Sequence, residues 1–113
     1  MLHFKLKFKL LVTFLILFSF TTTFGAYILI PMDDTQTNHL KAYGVAFLAI
    51  EKEINVNWLL NYRGGSFLIK SNDKIKEECT IRNVSFSLIA DLQSTSILQS
   101  ISANDVNQEV IKL

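Results

Sequence analysis

The residues best equipped for chemistry lie in two short polar segments. Residues 31–39 carry Asp33, Asp34 and His39, and residues 61–66 carry Asn61, Arg63, Gly64 and Gly65. Paired carboxylates can hold a divalent cation, and an imidazole near neutrality can act as a general base. A guanidinium followed by two glycine amides can grip an anion. Each feature also has a simpler use. Asp33 and Asp34 suit the start of a helix, where the helix dipole stabilises negative charge. His39 suits a solvated first helical turn, and Gly64 with Gly65 suits a tight turn that tolerates no Cβ. Arg63, Asp33 and Asn61 are the leading candidates for ligand contact, with His39 behind them.

No catalytic residue stands out beyond these. The single cysteine, Cys79, follows Glu77 and Glu78 within a helical pattern, and neighbouring carboxylates disfavour a thiolate. A nucleophilic thiol is instead placed on a strand-to-helix elbow with small neighbours, so Cys79 reads as packing. The chain has no phosphate-binding glycine fingerprint and no Cys and His set spaced for a metal, so no cofactor and no metal site is expected. Asn83, Val84 and Ser85 form a glycosylation sequon, which matters only in a secretory system that uses it.

The elements that position the two segments follow from periodicity. Tyr27 to Ile30 is a short apolar run closed by Pro31, the pattern of a strand buried on both faces. Asp33, Asp34 or Thr35 caps a helix over about 36–53, in which Leu40, Tyr43, Phe47 and Ile50 recur at spacings of three and four and mark an inner face. Gly44 inside that helix lets it approach the sheet. Val56 to Leu60 is a second strand, with Trp58 as core. Phe67 to Ile69 is a brief extended piece, and Ser71 or Asn72 caps a helix through about Ile81, with Ile75 and Cys79 facing inward. Val84 to Ala90 alternates as a third strand, and Ser94 opens a last helix with Ile97, Leu98 and Ile101.

Strands alternating with helices imply parallel pairing. The expected fold class is therefore α/β: an open, flavodoxin-like three-layer sheet of about three parallel strands. Ligands of such sheets bind beyond the strand carboxyl ends, which puts residues 31–39 beside residues 61–66. Three strands make a small sheet, and the apolar pattern resumes at Val110 to Leu113. The chain thus reads as the amino-terminal part of something longer, or as a domain that needs an additional chain to complete its sheet.

Residues 1–25 have a different character. Lys5, Lys7 and Lys9 precede the uncharged run Leu10 to Phe20, and Thr21, Thr22, Thr23 and Gly25 follow, the three-part order of a secretory signal peptide cut before Ala26. The rival reading is a signal anchor, because no charge falls between Lys9 and Asp33 and residues 10–30 are long enough to span a bilayer. Either way the expected destination is export, to the periplasm or the cell envelope, with membrane contact only through an uncleaved leader. The domain proper, residues 26–113, holds eight basic and ten acidic side chains, a net charge of −2. That balance argues against a nucleic-acid partner, which needs a basic face. With one thiol there is no internal disulfide to staple a small core.

The stretch from Ile28 to Phe47 (ILIPMDDTQTNHLKAYGVAF) and that from Ile54 to Ile69 (INVNWLLNYRGGSFLI) resemble the start of a family of exported bacterial proteins labelled asparagine synthetase B. The likeness covers nearly all of residues 26–113, with NWLLNYRGGSFL its most specific part. It implies an amino-terminal segment of a class I glutamine amidotransferase-like fold in a longer, exported protein. The reaction in the label is not implied by these residues. Glutamine-hydrolysing asparagine synthetases use a cysteine after Met1, where this chain has Leu2, and a phosphate loop that is absent here.

Three functions fit these observations. The first is an exported, non-catalytic segment binding an envelope protein or a small polar ligand through Asp33, Asp34, His39, Asn61, Arg63, Gly64 and Gly65. The second is a fragment of an amidotransferase-like enzyme whose catalytic residues lie elsewhere. The third is a membrane-anchored structural module. The first is the preferred expectation.

Overall fold

The computed structural model describes residues 25–103 and 110–113, together with Lys5, Lys7 and Lys9. The apolar run of the leader, and with it the expected signal or anchor segment, lies outside the described residues. The elements are β1 (Tyr27–Ile30), α1 (His39–Glu51), β2 (Val56–Leu59), β3 (Ser66–Lys70), α2 (Asp73–Ile81), β4 (Ser87–Ile89), α3 (Asp91–Ala103) and β5 (Val110–Lys112).

The strands form one sheet in the order β4-β1-β3-β2-β5, and every neighbouring pair is antiparallel. This overturns the expected flavodoxin-like or amidotransferase-like sheet of parallel strands. The cause is Ser66–Lys70, a full strand that pairs with β2 on one side and β1 on the other. β1 and β2 do run parallel, linked over α1, but β3 lies between them. β3 and β4 likewise run parallel, linked over α2, with β1 between them. Two split βαβ units therefore interleave, and β1 through α2 to β4 has the ferredoxin-like connectivity.

Side chains alternate across the sheet as the pleat requires. Ile28, Ile30, Val56, Phe67 and Ile69 face α1 and α2. Leu29, Leu59 and Leu68 face the other way, where Ile97, Leu98 and Ile101 of α3 cover them. The central strands are thus buried on both faces, which is why β1 and β3 read as continuous apolar runs.

α1 begins later than the sequence predicts. Asn38, and not Asp33, Asp34 or Thr35, is its N-cap, with Oδ1 accepting from the Lys41 amide at 3.1 Å. Its buried stripe is also different. Ala42, Val45, Ala46 and Ala49 face the sheet, whereas Leu40, Tyr43, Phe47 and Ile50 are exposed by 82, 52, 62 and 39%. Both stripes have helical spacing, so periodicity alone cannot choose between them. The small residues take the inner side because they bring the helix axis close to the sheet. Gly44 is corrected too, since a Cβ there would meet Arg82 Nη1 of the α2 C-cap at 3.2 Å and not the sheet.

α2 matches its sequence signals. Asn72 caps it through the Ile75 amide at 3.2 Å, and Ile75 and Cys79 are buried. Burial pushes the Cys79 thiol up to about 11, with the Glu78 carboxylate adding to the shift and Arg82 opposing it.

Candidate functional site

The loops after β1 and β2 do meet. The Met32 amide donates to the Arg63 carbonyl at 3.0 Å, and Arg63 Nε donates to Asp33 Oδ2 at 2.9 Å. Arg63 Nη2 also donates to Thr35 Oγ1 at 3.0 Å, and Thr35 donates in turn to Asp33 Oδ1 at 2.5 Å. The Thr35 hydroxyl and amide and the Arg63 guanidinium together hold the Asp33 carboxyl down to about 2 from an ordinary 3.8. His39 Nε2–H is shared between the carbonyls of Asp33 at 2.9 Å and Met32 at 3.1 Å. Carbonyl oxygens only accept, so this contact fixes the Nε2–H tautomer.

The turn that delivers Arg63 is left-handed over most of its length. Asn61, Arg63, Gly64 and Gly65 all have positive φ, at 63, 46, 80 and 91°. A Cβ on Gly64 would collide with the Met32 carbonyl, so the glycine permits the close approach of the two loops. Gly65 offers its carbonyl to Trp58 Nε1 at 3.0 Å. Asp34 is exposed beside the cluster, while Asn61 starts the turn. Asp33, Arg63, His39 and Gly64 are therefore brought together, and the polar side chains of Asp33, Arg63 and His39 are engaged within the two loops, which form a clasp. Among the described residues, no three His, Cys, Asp or Glu side chains are placed to hold a metal ion.

Gln36, expected at the start of the first helix and within the loop after β1, lies before that helix and has a bridging role that its sequence context does not reveal. Its side chain is buried at 5% exposure. Nε2 donates to the carbonyls of Pro31 at 2.8 Å and Ser85 at 2.9 Å, and Oε1 accepts from the Ser85 amide at 2.7 Å. This ties the loop after β1 to the segment before β4. A lone glutamine in a polar loop carries no periodic signal that could have singled it out.

A second concave surface lies where none was predicted. An apolar groove of about 220 Å3 runs beside α1, lined by Tyr43, Ala46, Phe47 and Ile50 of the helix and by Trp58, Phe67 and Leu113. Trp58 and Phe67 stack with centroids 6.0 Å apart, and Tyr43 meets Phe67 edge-on at 5.8 Å. The aromatic contacts fix the floor in place. Ile111 pairs across from Trp58 and so stands on the same face of the sheet. Among the described residues, no carboxylate, amine, imidazole or thiol lines the groove.

No family model, curated protein or solved structure matches the chain.

Proposed function

We infer that this chain is an exported, non-catalytic binding segment that recognises an apolar protein surface through the groove beside α1. The observation that carries the reading is the solvent exposure of Tyr43, Phe47 and Ile50 next to a floor of Trp58, Phe67 and Leu113. Contiguous exposed aromatic and aliphatic side chains mark interaction sites, because water contact with them is unfavourable and a partner removes it. The volume supports a protein as the partner. At about 220 Å3 the groove is smaller than the roughly 300–1,000 Å3 of small-molecule pockets. It suits an anchoring side chain from a protein.

The polar clasp supports the same reading. Arg63 and Asp33 are engaged with each other, His39 is committed to two carbonyls, and Cys79 is buried with its thiol protonated at neutral pH. The exported destination rests on the leader, with Lys5, Lys7 and Lys9 ahead of an apolar run.

The test is a photo-crosslinking benzoylphenylalanine placed at position 47 of the full chain in its host, with position 92 as control. Leu92 is 85% exposed and lies on α3, on the far side of the sheet. Discrete protein adducts from position 47 and none from position 92 are expected. Equal or absent adducts at the two positions would remove the groove as the working surface.

A further inference from the structure

We propose that the groove is filled by a second copy of this chain in a twofold dimer, an assignment that rests on the groove being the working surface. The patch is a ridge beside a hollow. Ala42, Val45, Ala46 and Ala49 face the sheet, and a turn of roughly 100° per residue points Leu40 and Phe47 straight away from it. Tyr43 and Ile50 point sideways, towards the β2 and β5 edge. The hollow next to this ridge has Trp58, Phe67, Ile111 and Leu113 as its floor. A twofold axis lays the Leu40 and Phe47 ridge of each copy into the hollow of the other. Every residue of the interface is then both donor and recipient of the contact, the self-complementarity that an isologous interface needs.

The sheet supplies the room. Strands are spaced about 4.8 Å apart, so a five-stranded sheet spans on the order of 20 Å between its outer strands. Two helices side by side, at roughly 10 Å between axes, are of about that width, so their placement decides which edge stays open. α1 and α2 pack against each other, while Ile111 of β5 and Leu113 just beyond it are exposed by 38 and 44%, so among the described residues the strip at that edge is open. In the dimer the α1 helix of the partner copy covers that strip, and its own sheet closes the layer from the other side.

The exposed area is of the right size. Leu40, Tyr43, Phe47, Ile50, Ile111 and Leu113 are exposed by 82, 52, 62, 39, 38 and 44%. Taking the roughly 150–250 Å2 of an aromatic side chain as an upper guide for the aliphatic ones, these six present on the order of 500–800 Å2 of mostly apolar surface. A standard interface takes about 800 Å2 from each partner, part of it a polar rim. Lys41, Glu51 and Glu53 are exposed on or just beyond the same helix and can supply such a rim.

The experiment uses cells producing two differently tagged copies of the full chain, with benzoylphenylalanine at position 47 of one. Position 47 is solvent-exposed in the single chain, so the replacement leaves the fold intact. The expected adduct contains both tags, maps to a peptide holding Trp58 or Ile111–Leu113, and exceeds the adduct from position 92 at least tenfold. Ile111→Asp in the second copy should lower its yield at least tenfold. An adduct from position 47 with another protein only would overturn the dimer and leave the groove as a binding surface. No adduct from position 47 would overturn both. A two-tag adduct that maps outside the groove, or that Ile111→Asp leaves unchanged, would also overturn the dimer.

Discussion

Arg63 Nε and Asp33 Oδ2, separated by 30 residues, lie 2.9 Å apart and join the loops that leave β1 and β2 at the same end of the sheet. Both side chains are about one-third exposed, so Coulomb attraction alone is screened and contributes little. The geometry adds what the charge does not. Thr35 bonds both partners, and the backbone contact from Met32 to Arg63 sets the spacing.

The clasp predicts a pH dependence. The Asp33 carboxyl titrates near 3.8 when unfolded and about 2 when folded. A depressed folded value means stability that is present above 3.8 and lost as pH falls towards 2. Urea midpoints of the wild type should therefore drop more steeply between pH 4 and 2 than those of Asp33→Asn. Glu78 is also held low and contributes slope to both proteins, so the difference between the curves belongs to Asp33. Parallel curves would sink the assignment.

Gln36→Leu is expected to destabilise the fold by about 2 kcal/mol, because it strands the buried Pro31 carbonyl and the part-buried Ser85 amide and carbonyl without partners. Gln36→Glu tests the same contacts differently, since it keeps the acceptor for Ser85 but loses both donated bonds. Denaturant unfolding of the two variants should show losses in each. A change under 0.5 kcal/mol for Gln36→Leu would mean that water replaces the side chain.

The interleaved topology explains how much of this fold was legible. β1, α2, the two loops and their contact were readable from apolar runs, an asparagine cap and the rule that parallel strands end on one side. The parallel sheet was inferred wrongly because Gly64 and Gly65 were weighed as an anion cradle or a tight turn and not as a hairpin between VNWL and SFLIK. The signal was present, since a glycine-containing loop between two apolar runs is a hairpin pattern. α1 failed for another reason. Bulk and spacing point to Leu40, Tyr43, Phe47 and Ile50 as the inner face, while close packing on a sheet favours the alanine stripe.

Glu53 has φ of 58° at the residue after the α1 C-cap, and Asn83 has φ of 55° after the α2 C-cap. This left-handed position favours glycine and tolerates asparagine. Glu53→Gly should therefore stabilise the chain by about 0.5–1 kcal/mol, and Asn83→Gly by less. Thermal unfolding of both variants gives the comparison, and an order reversed between them would show that side-chain contacts at Glu53 outweigh the backbone term.

The strand that opens the domain takes neighbours only from later sequence. β1 is flanked by Ser66–Lys70 and Ser87–Ile89, so one edge stays bare until the ribosome has passed residue 70 and the other until it has passed residue 89. At roughly 5–20 residues per second, the interval from β1 to β4 lasts on the order of 3–12 s. Through that time the nascent chain carries an apolar strand with at least one unpaired edge. Folding is therefore a late event in synthesis, and whatever meets the chain during those seconds meets it in extended form.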